Sequence, residues 1–363
     1  MSLPPIDEDA VCFISEDDEQ ETGARCFAAG DTRVNEQIGL TALHVLFLRE
    51  HNRIAKILKN INEHWDDERI FQEARRIIGA SLQYITYGSF LPVLLGEDAM
   101  RTFQLNLVDG DTFSDNYNDS CQATIWNVFA TNAFRLHSII RSNLISIRHV
   151  DGQIQRDKLA LANAFLNPSA LYRTRYPTGL LYGMTETTTE RMDNFFADAI
   201  RNHLFEFEGE GGMDLVALDI QRARDHGIPG YTEWRKVLGL SAPKSFSDLQ
   251  DIMGSEAVQV FQEIYEDVAD IDLFAGAFWE KPSPGSKLGP VFFQLIAEQF
   301  RSLKLCDRFW HENSKQINSF TKEQLREIRK FSVTSVMCAN HDAGPEEAKE
   351  CWFKENAFLI HSK

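Results

Sequence analysis

The stretch LTALHVLFLREHNRIAKILKNI, residues 40–61, carries apolar residues at helical spacing over several turns, which commits this part of the chain to a helix with a buried face. A second run follows. Asp66 or Asp67 caps it, and Ile70, Phe71, Ala74, Ile77, Ile78, Leu82 and Ile85 recur every three or four residues until Pro92 and Gly96 end the region. Helices also fit from about Ala123 to Leu144, over 189–206, and over 255–267, 289–303 and 321–337. Residues 99–120 read as a polar loop, and 145–188 as mixed, punctuated by Pro168, Pro177 and Gly179. Strand alternation is scarce. The expected fold class is mainly α, with few or no strands, short elements and long connections.

Length and composition narrow the function classes. A chain of 363 residues with 43% hydrophobic content can bury a large core. The net charge of −17 argues against nonspecific nucleic-acid binding, which needs basic surface. No run of about 18 apolar residues is present, so no transmembrane helix is expected. The opening MSLPPIDEDAVCFISEDDEQE is acidic and has no apolar signal core, and residues 1–24 are expected to be loose. Six cysteines are scattered without a CxxC pair, which argues against a zinc site. Cys338 and Cys351 are near enough to pair in an oxidising compartment. Asn118-Asp119-Ser120 is a glycosylation sequon, a triplet that also arises often by chance.

Three clusters can carry chemistry. In DIQRARDHGIPGY, residues 219–231, Asp219 and Arg222 stand three apart on one helical face before Gly227 and Pro229 stop the helix. Either they belong to a charged surface helix, or Asp219 orients another group while Arg222 binds an anion. His137 lies in the largely apolar NVFATNAFRLHSIIRSN. It is either a satisfied core histidine or a metal ligand; a ligand needs an acceptor for its other ring nitrogen, which Asp219 can supply. In CFAAGDTRVNEQIGL, residues 26–40, Arg33 and Glu36 are three apart at the approach to the first long helix, and spacing alone reads as a helix-start ion pair supported by Gln37.

Taken together, CFAAGDTRVNEQIGLTALHVLFLREHNRIA, ILKNINEHWDDERIFQEARRIIGASLQYITYGSFLPVLLG, NVFATNAFRLHS, DLVALDIQRARDHGIPGY, DIDLFAGAFWEKPSPGSKLGPVFFQLIAEQF and DRFWHEN resemble, in order, the sequence blocks of the animal haem peroxidase family over roughly residues 24–340. The resemblance implies a mainly α domain over 25–363 built around haem b. Hydrogen peroxide would be reduced and small donors oxidised through an oxoferryl intermediate. It places His137 at the proximal iron-ligand position and Asp219 where the family usually has an asparagine that hydrogen-bonds that histidine. Arg222 matches the arginine that meets a haem propionate, and Arg33 the distal arginine that polarises peroxide. Glu36 matches a glutamate that forms a haem ester in some members, and Gln37 stands where one branch has methionine. A carboxylate at 219 would push the imidazole toward imidazolate character. His226, in the DHG turn, is the competing iron ligand.

The sequence also departs from the family pattern. The Gln-x-x-Asp-His-Asp segment that carries the family's distal histidine and calcium ligands is not among these residues, so weak turnover and no bound calcium are expected. The step Arg135-Leu136-His137 is one residue shorter than usual, which would rotate the upstream helix face by about 100° relative to His137. Cys121 and Cys306 stand where the family pattern has no cysteine. Relatives are generally secreted, so an extracellular location is implied although no signal peptide is present. A catalytically inert peroxidase-like haem-binding or structural protein is the alternative.

Overall fold

The structure, a computed structural model, describes residues 3–150, 153–207 and 210–341. Helices dominate, and the one sheet among these residues is a two-stranded antiparallel hairpin. The mainly α expectation therefore holds.

The first long helix runs Ile38–Ile61, and the Gln37 side chain caps it by accepting from Gly39 N at 2.6 Å. Asp66 caps the second, Asp67–Ile85, through Arg69 N at 2.8 Å. Pro92 does not end this helix as expected. A π-helical turn, Thr86–Phe90, absorbs the ring and the chain stays helical over Leu91–Leu95. Gly96 then stops it at φ +86°, where a Cβ would lie 2.3 Å from Gly285 O. The combined stretch Asp67–Leu95 is long and apolar enough, by length and composition alone, to cross a membrane, a correction to the expectation from apolar runs. Here it is a core element, with Tyr87, Leu91, Leu94 and Leu95 in the main apolar cluster.

That cluster gathers Tyr87, Phe129, Tyr231, Phe274, Phe278 and Phe292 around the Pro290–Cys306 helix. A second cluster joins Phe27, Ile38, Ala42 and Leu46 to Leu171, Tyr176 and Leu180. Helices expected over 255–267 and 289–303 form as Ser255–Ile264 and Pro290–Cys306. The one expected over 321–337 is split into Lys322–Ile328 and Val333–Ala339, because Ser332 starts a fresh capping box. The 99–120 loop begins with a short helix, Glu97–Thr102.

Two expected helices do not form. Between Ala123 and Leu144 there is a π turn, Phe129–Ala133, then a 3-10 turn, His137–Ile139, and from Asn143 a strand. Strands Asn143–Val150 and Gln153–Ala160 pair with Asn143 opposite Ala160. The first strand lies against the helix Tyr176–Glu186, whose Gly183 allows so close an approach that a Cβ there would sit 1.6 Å from Ile145 O. Within 189–206 the only helix is the single turn Asp198–Arg201. Thr188 O and Glu190 N instead bond Arg141 Nη1 and Ile139 O, at 2.6 and 3.1 Å, which holds this segment extended beside His137. The described part of the acidic start carries the helix Glu16–Thr22, a Cys12–Cys26 disulfide and a bridge from Ile6 to Phe27. A second disulfide joins Cys121 to Cys306, which the sequence did not indicate. The expected Cys338–Cys351 pairing involves residue 351, outside the described residues.

Candidate functional site

Asp219 sits in the helix Leu215–Asp225, which Asp214 starts by accepting from Val216 N and Ala217 N at 2.8 and 3.1 Å. Its side chain is fully buried. Facing it is the 3-10 turn that holds His137. The turn is placed from behind: Phe134 stacks on Phe129 at 4.7 Å, Arg135 Nε donates to Ala130 O at 2.8 Å, and His137 N donates to Arg135 O at 2.8 Å. Because the helix breaks at Phe134, the short Arg135-Leu136-His137 step does not transmit the expected rotation. His137 leaves from its own turn, and its direction is set locally.

His137 Nδ1 lies 2.5 Å from Asp219 Oδ2. A carboxylate can only accept, so Nδ1 carries a proton, and in the neutral ring Nε2 keeps a free lone pair. Among the described residues Nε2 has no hydrogen-bond partner, and the ring borders a cavity of about 520 Å³. The walls are largely apolar, with Leu144, Phe165, Met184 and Leu204, and Glu36 is the single carboxylate among the lining residues. Volume and lining suit a large, flat, mostly apolar group, for which sites of about 300–1,000 Å³ are usual.

Charge gathers around Asp219, whose arginine neighbours Arg222 and Arg135 are not among the residues lining the cavity. Arg222 Nη1 is 3.5 Å from Asp219 Oδ1, an oxygen that is buried without a hydrogen bond. Burial, and then the neighbouring Arg222 guanidinium, pull Arg135 below the usual arginine range, with Asp219, Arg33 and Glu36 also within electrostatic reach. Arg222 and Arg135 near one buried carboxylate form an arrangement that a further anion would relieve.

Arg33 is placed differently. Its Nε and Nη2 bond Asp31 at 3.0 and 2.8 Å, its side chain is 63% exposed, and it does not line the cavity. The Arg33–Glu36 ion pair read from spacing is replaced by this Arg33–Asp31 pair, whose guanidinium lowers the Asp31 carboxyl to about 2. Glu36 and Gln37 do reach the cavity. His226 bonds Asn127 Oδ1 at 2.9 Å, is exposed, and lies away from the cavity. Sequence reasoning missed Arg135 as part of the charge around Asp219, and it missed Asn132, whose Nδ2 donates to Asp219 O at 3.4 Å. It also missed the Thr185–Thr189 stretch along the cavity. Most of this last stretch falls in the 145–188 region read as mixed, and only Thr189 in the helix expected over 189–206; the first two carry no local signal.

Comparison with known proteins points one way. The family model described as animal haem peroxidase matches residues 2–352. Peroxidasin homolog pxn-2 of Caenorhabditis elegans is 38% identical over 342 residues, covering 93% of this chain and 25% of that protein. The Homo sapiens peroxidasin homolog is 37% identical, covering 90% of this chain and 22% of that protein. Thyroid peroxidase of Sus scrofa is 36% identical, covering 87% and 34%. The chain thus spans about a quarter to a third of the length of these relatives. Among solved structures, peroxidase A from Dictyostelium discoideum superposes with a TM-score of 0.76 at 31% identity, covering 94% of this chain and 63% of that one. A fatty acid alpha-dioxygenase from Oryza sativa, at 19% identity, shares the fold with a TM-score of 0.73 over 99% of this chain and 62% of its own.

Proposed function

The chain belongs to the animal haem peroxidase family, and from that premise we propose that it holds haem b on His137 and reduces hydrogen peroxide while oxidising small donors. The observation that carries this reading is the 2.5 Å bond from His137 Nδ1 to the buried Asp219 carboxylate, which fixes the tautomer and leaves Nε2 as a ligand atom at the cavity. When bound, haem would supply an iron centre that takes oxidising equivalents from peroxide and passes them to a donor.

The chain's own residues do the rest. Asp219 Oδ2 holds the proton at Nδ1 and so raises the donor strength of Nε2 toward a metal. Asn132 steadies the backbone of the same residue through its carbonyl. Arg222, with Arg135 near it, would meet the carboxylates of that haem, although neither is among the cavity's lining residues. Glu36 offers the carboxylate for an ester link or for accepting a proton at the cavity. Two disulfides among the described residues favour an oxidising, extracellular setting.

The test is titration of the purified chain with haemin, followed by absorption. A saturable Soret band that His137→Ala abolishes or converts to a weakly bound form is expected; an unchanged spectrum in the variant would put the ligand elsewhere. A second reading, a haem-holding protein without turnover, is favoured by the turning of Arg33 out of the cavity onto Asp31. Stopped-flow mixing with peroxide separates the two. Rapid spectral change means turnover; a haem band that peroxide leaves unaltered means binding alone.

A further inference from the structure

We propose that a second cavity, bordered by Arg75, Arg308, Phe309 and His311, binds a small aromatic carboxylate that carries a hydroxyl group. The cavity has a volume of about 520 Å³, as large as the one at His137, and shares no lining residue with it. It lies between the helix Asp67–Ile85 and the segment 307–320. Its size falls in the range usual for small-molecule sites.

The charge of this cavity is unbalanced. Its lining holds Arg75, Arg76 and Arg308 against Glu73 and Asp307, in a chain whose net charge is −17. Both acids are already engaged. Glu73 Oε2 meets Arg76 Nη2 at 3.1 Å. Asp307 accepts from Phe309 N at 2.8 Å and from Gln83 Nε2 at 3.3 Å. Arg75 and Arg308 are exposed and have no ion pair or hydrogen bond among the described residues. Arg76 donates from Nη1 to Asn318 O at 2.9 Å, while its Nε is buried without a partner. Guanidinium groups left over in this way offer paired donors to a carboxylate.

The same lining supplies a flat apolar face and an acceptor. The Arg308 guanidinium lies 4.5 Å from the centre of the Phe309 ring, which is 51% exposed, so a stacking surface stands beside a charge. His311 is 1% exposed. Because Gln83 Nε2 donates to Asp307, Gln83 Oε1 is the atom that faces His311, and it accepts from His311 Nδ1 at 3.2 Å. Nδ1 therefore carries the proton of the neutral ring, and Nε2 is a lone-pair acceptor without a partner. A hydroxyl donates to such an atom, whereas a carboxylate cannot. A ring with a carboxylate on one side and a hydroxyl on another answers all three features. This inference does not depend on haem.

The experiment is isothermal titration calorimetry of the full chain without haem, with benzoate and its three hydroxybenzoate isomers as probes. One hydroxybenzoate is expected to saturate a single site and to bind about tenfold more tightly than benzoate. Arg75→Ala and Arg308→Ala should each weaken that binding about tenfold. His311→Phe, checked for folding by circular dichroism, should erase the preference over benzoate; the two exposed arginines carry the test if this variant does not fold. Loading the chain with haemin should leave the titration unchanged. The proposal is overturned if no isomer binds, if both arginine variants bind like the parent chain, or if inorganic phosphate competes as well as the hydroxybenzoate, which would mean a bare anion site. Loss of binding on haemin loading would put the probe in the His137 cavity and overturn it as well.

Discussion

Asp219 brings a carboxylate into a place with no solvent exposure, and His137 and Arg222 are the groups that compensate it. An amide at this position accepts a neutral hydrogen bond only. A charge-assisted bond is about twice as strong as a neutral one, a difference on the order of 1 kcal/mol that corresponds to about 40 mV for one electron. In the haem-loaded protein, Asp219→Asn should therefore keep haem bound and raise the Fe(III)/Fe(II) potential by tens of millivolts on that estimate. Spectroelectrochemistry reads it, and a potential that stays put or falls would deny the hydrogen bond a role. His311 makes a second residue-scale case. Its Nδ1 and backbone N both meet Gln83 Oε1, at 3.2 and 3.0 Å, while Nε2 is buried without a partner. Burial, with help from Arg329 and Lys304, lowers its pKa to about 3. The folded form thus resists a proton that the unfolded form accepts near the ordinary value of about 6.5. Its contribution is fully present above that value and is lost as the pH falls toward 3. Stability should fall by about 2 kcal/mol by pH 5 from this group alone. His311→Phe should flatten that slope in urea titrations at pH 7 and pH 5; an equally steep slope would assign the acid lability to another group.

Elements were legible in the sequence where their signal was local. Asp66 at a cap and Ile70, Ala74 and Ile85 gave a helix start and buried positions that the structure reproduces, whereas Phe71 and Leu82 of the same expected stripe are exposed. The hairpin Asn143–Val150 with Gln153–Ala160 was not legible, because its support lies in another element: Gly179 and Gly183 on the Tyr176–Glu186 helix, where the strand comes close. The candidate site divides the same way. Asp219 and Arg222 share a helix face and could be paired from spacing, whereas His137 and Asp219 are 82 residues apart and only family resemblance related them. The outward turn of Arg33 follows from Asp31 two residues earlier, a competitor that spacing to Glu36 did not weigh. The strand–helix contact gives a direct test. A Cβ at Gly183 would meet the Ile145 carbonyl at 1.6 Å, and backbone cannot swing aside. Gly183→Ala should destabilise the fold by about 3 kcal/mol or more, at the upper end for overpacking. Gly179→Ala should cost less, since its two nearest neighbours, Arg148 Cγ and Ser146 Oγ, belong to side chains. Urea midpoints that rank the two variants in the opposite order would mean that this packing is wrong.

Over the whole molecule, the Cys121–Cys306 bridge closes a loop that contains both His137 and Asp219. Its ends are already held in the folded state by other means. Gln299, on the Pro290–Cys306 helix, accepts from Trp126 N at 2.7 Å and donates to Thr124 O at 3.0 Å, and Phe300 packs edge-on against Phe129 and Phe134. Opening the bridge should therefore leave the native contacts in place and act mainly by freeing the unfolded chain. Closing a loop this long removes on the order of 5 kcal/mol of denatured-state entropy in the chain-entropy account, with less realised in practice. Two readouts are then expected to separate. Replacing both cysteines with alanine should lower the urea midpoint of the apo chain, with a loss of about 2–5 kcal/mol, while the Soret position of the haem-loaded protein stays where it was. If the spectrum shifts with the stability, the bridge positions His137 directly and the Gln299 and Phe300 contacts are not enough to hold that end of the fold. If neither moves, the unfolded chain keeps the two ends near each other without the bond, and the main apolar cluster around Phe129 and Phe292 is the feature that survives denaturation.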